Sequence, residues 1–215
     1  NPQGSVATLE RLTETIALAR KHDFVVIGDE CYSEIYAEDA PPGLLEACAA
    51  IGDDLSNVLV FNSLSKRSSV PGLRAGFVAG DAELILRFMR LRSHGGAVQP
   101  LPVMAAATAL WNDEQHVEFS RALYRRKFDD AAGIFGTRFG FSKPDGGFFL
   151  WLDVGDGVAA TKKLWRQGAV RALPGSYLSA DDPRGGNSGD PYIRVAMVFE
   201  HAVMADALTR MSEIL

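Results

Sequence analysis

Sulfur and histidine are scarce in this sequence, which has two cysteines and four histidines among 215 residues. Cys31 and Cys48 make no Cys-x-x-Cys pair and no histidine stands at ligand spacing from them, which argues against a metal site and against a disulfide framework. His22, His94, His116 and His201 are scattered, and none has a triad-like setting. No apolar run approaches the roughly eighteen residues of a membrane span, and the amino terminus carries no basic-then-apolar leader. Positive charge is also in deficit, with 22 basic against 27 acidic residues and a net charge of -5. Neither nucleic acid nor a membrane is therefore an expected partner. The densest basic stretch, Arg87, Arg90 and Arg92, alternates with Leu84, Leu86, Phe88 and Leu91 at helical spacing and reads as a solvated or interdomain face. What remains, 47% hydrophobic and 23% charged, is the composition of an ordinary globular chain, expected in the cytoplasm.

Periodicity organises the first part as α/β. Leu9, Leu12, Ile16 and Ala19 give residues 5–22 a helical spacing, and the β-branched run Phe24-Val25-Val26-Ile27-Gly28 predicts a buried strand after it. A second helix over 44–52 leads to a strand over Asn57-Val58-Leu59-Val60-Phe61, and Gly76 to Gly80 makes a third strand, so helices should cover a mostly parallel sheet. The glycine-rich stretch from Ser93 to Pro100 predicts a loop. Pro102 to Trp111 reads as a helix, and Asn112 to Phe135 as another, opened by Asn112 with Gln115 three residues on. Strands near Gly147 to Val154 and Tyr192 to Val198, with helices near Ala159 to Gln167 and His201 to Ile214, make a smaller α+β domain. Gly155-Asp156-Gly157-Val158-Ala159-Ala160 matches a dinucleotide fingerprint, but it follows a late strand with no second βαβ unit, and a capped helix start explains it.

Chemistry concentrates around Lys66 in Ser63-Leu64-Ser65-Lys66. It follows the second strand as Asp29 follows the first, so both side chains should leave the same edge of one sheet, where open α/β sheets bind ligands. A lysine there suggests a Schiff base with an aldehyde cofactor, and pyridoxal phosphate is the cofactor such a lysine usually holds. Asp29 would favour the protonated ring nitrogen, an attraction of roughly 4 kcal/mol at about 4 Å and an effective dielectric near 20. Tyr32, and Asn1 in the turn Asn1-Pro2-Gln3-Gly4, could hydrogen-bond the ring oxygen. Ser63, Ser65 and Arg74, the last bracketed by Gly72 and Gly76, suit a phosphate dianion. Taken singly, each has an ordinary explanation. Asp29 could cap a helix or form a turn, Tyr32 could pack half-buried, the serines could be loop hydroxyls, and Arg74 or Arg194 could be a surface ion-pair partner worth under about 1 kcal/mol.

Jointly and in this order, these residues resemble the carboxyl-terminal part of a class I/II, fold-type I, pyridoxal-phosphate-dependent aminotransferase, and the likeness runs through all 215 residues. The resemblance implies the family's ring-binding asparagine, aspartate and tyrosine at Asn1, Asp29 and Tyr32, its lysine at Lys66, and phosphate ligands at Ser63, Ser65 and Arg74. It also implies that Arg194, in Tyr192-Ile193-Arg194-Val195-Ala196, grips the substrate's α-carboxylate. On a strand Arg194 would lie opposite Ile193 and Val195, as a pocket residue should. The expected architecture is a partial large domain over 1–93, a loop and interdomain helices over 94–135, and a small α+β domain over 136–215. Asp29 to Tyr36, Ser63 to Arg74, Trp111-Asn-Asp-Glu and Leu173 to Leu178 are similar to bacterial succinyldiaminopimelate aminotransferases, which implies lysine biosynthesis from amino-acid and keto-acid substrates and a homodimer at full length. Other fold-type I enzymes, a carbon–sulfur β-lyase or a decarboxylase, and a ligand-sensing domain of a transcription regulator remain as alternatives. Opening at the Asn-Pro-x-Gly turn leaves out the family's ring-stacking aromatic and part of its phosphate cradle. The 215 residues alone are therefore expected to be a fragment that neither holds the cofactor tightly nor transaminates.

Overall fold

The computed structural model describes residues 1–96 and 98–215. They form two compact units, one of Val6–Ser120 and one of Asn1–Ser5 with Arg121–Leu215. Among the described residues no helix is long and apolar enough to cross a membrane.

In the Val6–Ser120 unit, α1 (Leu9–His22) starts at the first of the spaced apolar residues rather than at residue 5, where the helix was expected to begin. The Thr8 hydroxyl accepts from Arg11 N at 3.2 Å and fixes the helix start there. Asp23 closes it in the left-handed conformation, returning its N–H to Ala19 O. Then come β1 (Val26–Asp29), α2 (Leu44–Ala50), β2 (Val58–Ser63), the single turn α3 (Leu64–Arg67) and β3 (Gly76–Gly80). Ile16 and Ala19 are buried from α1, and Ile16 packs with Leu44, Ala47, Cys48, Val58 and Val60 in the core between these helices and the sheet.

The sheet order is β1-β2-β3, with β1 and β2 parallel and β2 and β3 antiparallel. Half of its pairing is therefore antiparallel where a mostly parallel sheet was expected. The reason lies in the β2–β3 connection, which holds one helical turn and a short 3-10 turn rather than the long crossover helix that returns a chain for parallel pairing. Nor is β1 buried on both faces: Val26 packs on the core while Ile27 is 65% exposed.

Beyond Asp81, whose carboxylate accepts from Glu83 N and Leu84 N, α4 runs over Ala82–Gly95. The expected loop at Ser93 is thus helical through Gly95, with the Ser93 hydroxyl folded back on Arg90 O at 2.8 Å. Ala97, within that same stretch, lies outside the described residues. Two further helices follow, α5 (Leu101–Trp111) and α6 (Gln115–Phe135). Asn112 does not open α6. It ends α5, its N–H bonding Thr108 O, and the Asp113 carboxylate takes Gln115 N at 3.0 Å instead.

The other unit holds β4 (Phe149–Asp153), α7 (Gly157–Gly168), β5 (Leu173–Pro174), β6 (Tyr192–Ala196) and α8 (His201–Ile214). Its antiparallel sheet has the order β4-β6-β5. Alternation puts Leu150, Leu152, Ile193 and Val195 on the core face with Leu164, Leu208, Met211 and Phe135. The fingerprint-like glycines are structural. Asp156 caps α7 by accepting from Ala159 N at 2.9 Å, and a Cβ at Gly157 would stand 2.1 Å from Tyr192 O.

Candidate functional site

Parallel pairing of β1 and β2 sets Asp29 opposite Phe61, so the chain leaves both strands at the same end of the sheet. After β1 the chain turns through Cys31 and Tyr32, Asp29 Oδ1 accepting Cys31 N at 3.2 Å and Tyr32 O accepting Ile35 N. After β2 it enters α3, which carries Lys66. The Lys66 ammonium stands 5.9 Å from the centroid of the Tyr32 ring. Cys31 registers the convergence: burial first, then its hydrogen bond to Asp29 and the Asp29 charge, push its thiol up to about 12, while the Lys66 charge pulls it down.

Ser63 caps α3, its Oγ accepting Ser65 N at 3.1 Å and lying 2.9 Å from Ser65 Oγ and 3.3 Å from Ala75 O. Leu64 N bonds the same Ala75 carbonyl at 3.1 Å, which fastens the segment after Arg74 to the lysine turn. Arg74 itself is exposed, in the left-handed conformation at φ 52°, with Nη1 donating to Pro71 O at 2.9 Å. Gln99 donates to the Leu73 and Arg74 carbonyls and so holds that loop's outer side. Six of the predicted residues thus gather in this unit: Asp29, Tyr32, Ser63, Ser65, Lys66 and Arg74.

Asn1 and Arg194 belong to the other unit, where Arg194 Nη1 donates to Asn1 Oδ1 at 3.0 Å. The Arg194 guanidinium lies 4.2 Å from the Phe149 ring centroid, on the sheet face opposite Ile193 and Val195, as alternation predicts. Beside it Trp151 pairs across the strands with Arg194 and stacks on Tyr192, the ring centroids 5.0 Å apart.

Three side chains that sequence patterns did not single out brace the turns after β1 and β2. Glu30, its carboxyl pushed up by burial and eased down by the Leu44 N–H it accepts at 2.8 Å, holds the start of α2. Arg67, 4% exposed, binds the carboxylate of Glu114. His116, for which no triad-like setting was expected, does stand in line between a carboxylate and a hydroxyl: its Nδ1 lies 2.7 Å from Asp113 Oδ2 and its Nε2 lies 2.8 Å from Ser68 Oγ. The partner of Ser68 is 48 residues away in the chain, beyond the reach of any local pattern.

Chemically, the Val6–Ser120 unit presents an amine, a carboxylate and a phenol on adjoining turns, with two hydroxyls just before the amine and a guanidinium eight residues after it. These complement the aldehyde, ring nitrogen, ring oxygen and phosphate of pyridoxal phosphate, so the residues present fit that group. Among the described residues no cluster of His, Cys, Asp and Glu could hold a metal ion.

A family model described as aminotransferase class I and II matches residues 1–211. The chain is 36% identical over 215 residues to the 4-dedimethylamino-4-oxo-anhydrotetracycline transaminase OxyQ of Streptomyces rimosus, a match covering 99% of this chain and 57% of that protein. Among solved structures it resembles an aminotransferase from Neisseria meningitidis Z2491 at 42% identity and a TM-score of 0.93, over 99% of this chain and 55% of that one. It also resembles a probable N-succinyldiaminopimelate aminotransferase from Thermus thermophilus at 27% identity and a TM-score of 0.84, over 100% of this chain and 56% of that one. The chain therefore spans about half the length of the relatives it matches.

Proposed function

Because the chain belongs to the class I and II aminotransferases, a family whose members use pyridoxal phosphate, we propose that it serves an enzyme transferring an amino group between glutamate and a keto acid. The observation that carries this is the convergence of Lys66, Asp29 and Tyr32 at one end of a β-sheet, with Ser63, Ser65 and Arg74 on the segment beside them. In this reading Asp29 holds the ring nitrogen, Tyr32 and Asn1 the ring oxygen, and Ser63, Ser65 and Arg74 the phosphate. The cofactor, when bound, supplies an electron sink for the pair left at the substrate's α-carbon.

The rest is done by the protein's own groups. Lys66 would hold the cofactor through its amine, and the same amine would be the base that takes the proton from the substrate's α-carbon. Arg194 takes the α-carboxylate in a two-point grip, pre-aimed by its hydrogen bond to Asn1 and its seat over Phe149. A homodimer is the proposed assembly.

For the keto acid, we infer N-succinyl-diaminopimelate chemistry, with glutamate and 2-oxoglutarate as the exchanging pair, which would place the enzyme in lysine biosynthesis. Support comes from the likeness to the Thermus thermophilus protein and from a relative named LL-diaminopimelate aminotransferase in Moorella thermoacetica, 28% identical. The higher identity to OxyQ favours a second reading, a bulkier ketone as amino acceptor.

The native enzyme tests both levels. It is expected to acquire a visible absorption band with pyridoxal phosphate that Lys66→Ala abolishes, and a band that survives this change would refute the role of Lys66. A panel of amino donors and keto acids, read by product analysis, separates transamination from β-elimination and decarboxylation and decides the acceptor.

A further inference from the structure

Lys66 stands on a helix of one turn, Leu64–Arg67. A single turn has almost no stability of its own, so its neighbours must fix the direction in which the lysine leaves the backbone. Leu64, fully buried, packs with Ala75 and Ala107 beneath it. The two residues after the lysine are fastened in a different way, by polar side chains.

Arg67 is 4% exposed, a rare state for an arginine unless it is paired. Its guanidinium donates to both carboxylate oxygens of Glu114 and to Trp111 O at 3.5 Å, and lies 5.2 Å from the Trp111 ring centroid. Its Nη1 also stands 4.0 Å from Glu34 Oε1, two residues past Tyr32. One buried side chain therefore ties together the lysine turn, the turn that carries Asp29 and Tyr32, and the α5–α6 junction. Ser68, which ends α3, reaches the same junction through His116, itself held by Asp113. The two fastenings are independent in their atoms and converge on Trp111 to His116.

We propose that Arg67 and His116 are positioning residues for Lys66. They hold the α3 turn at a fixed distance and angle from Tyr32, and this rests on the reading of Lys66 as the reactive amine. An ion pair whose carboxylate, that of Glu114, is 62% exposed adds little net stability, whereas a displacement of about 1 Å at a reacting group can cost about a hundredfold in rate. The arrangement is therefore valued for geometry. Arg67→Lys keeps the charge and loses the fork that spans Glu114 and Trp111 O.

The test uses the native enzyme with cofactor bound and the variants Arg67→Lys, His116→Gln and His116→Phe, with Lys66→Ala as the reference. Arg67→Lys and His116→Phe are expected to lower kcat about ten- to a hundredfold, with KM for the amino donor within about twofold. Amide hydrogen exchange in residues 64–70 is expected to rise about tenfold while the melting temperature barely moves, and His116→Gln, which can still bond Ser68, should recover part of the loss. Unchanged exchange in 64–70, or a fall in kcat that merely tracks the loss of folded protein, would overturn the proposal. If instead Lys66→Ala keeps its activity, the assignment of the lysine fails, and hydrogen exchange alone then decides whether Arg67 and His116 clamp the turn.

Discussion

Cys31 sits between the two charges that define the site, and its titration is the most accessible record of their closeness. Burial, the hydrogen bond it gives to Asp29 and the Asp29 charge together hold the thiol up at about 12 against the pull of Lys66, so it stays protonated at neutral pH. Its alkylation by iodoacetamide at pH 8 is expected to be at least about a hundredfold slower than that of a free cysteine. Asp29→Asn should speed the reaction by removing the charge, with burial keeping it below the free rate. A thiol as reactive as glutathione would place Cys31 elsewhere. Arg194 offers a second residue-level test. Because it is already aimed by Asn1 and Phe149, Arg194→Lys is expected to raise KM for glutamate about ten- to a hundredfold and to change kcat less, since a point charge cannot keep a two-point grip. Unchanged glutamate affinity would remove Arg194 from the carboxylate site. The placement of Lys66, Asp29 and Arg194 could be read from sequence because each follows or lies on a short strand with a recognisable pattern. Arg67 and His116 could not, since Glu114 and Ser68 stand 47 and 48 residues from them and only the folded chain joins them.

At the level of elements, the junction of β2, β3 and α4 turns on Asp81. Its carboxylate caps α4 and also accepts Asn57 N at 2.9 Å, where the chain enters β2. The N–H groups of Asn57, Leu84 and Glu83 hold this carboxyl below its usual range against a smaller opposing effect of burial. The folded state thus binds its proton less readily than the unfolded chain. The stabilisation from Asp81 is complete above about pH 4 and is lost as pH falls through the lowered folded value. Asp81→Ala is expected to cost about 1–2 kcal/mol near neutral pH and to flatten the acid limb of the stability curve, measured by urea unfolding between pH 2 and 7. An acid limb as steep as before would assign that dependence to other carboxylates. Caps such as this also explain where sequence patterns stop short. The spacing of Leu9 to Ala19 marks a helix, but the expected start at residue 5 is too early because Thr8 caps it at Leu9, and Asn112 looks like a helix opener until its own N–H is seen ending α5.

Across the whole molecule, the balance of polar and apolar residues is ordinary, yet their placement is not. On α4 no residue is buried, and Leu86, Met89 and Leu91 are 60%, 60% and 68% exposed, while Ile27 on β1 is 65% exposed. Composition could not reveal this, because helical and strand spacing say which residues share a face and not whether anything covers that face. Exposed large apolar side chains in this number promote association, and an edge strand with an outward apolar side chain adds to it. Asp29, the proposed ring-nitrogen partner, is itself exposed at the end of that strand, where water screens its charge and weakens the hold it would have in a closed site. The 215-residue polypeptide expressed by itself is therefore expected to bind a hydrophobic dye such as ANS, to elute as associated species in size-exclusion chromatography, and to retain no visible cofactor band after desalting. A monodisperse, dye-silent chain that keeps such a band, and loses it with Lys66→Ala, would show that these faces need no cover and that the 215 residues hold the cofactor unaided.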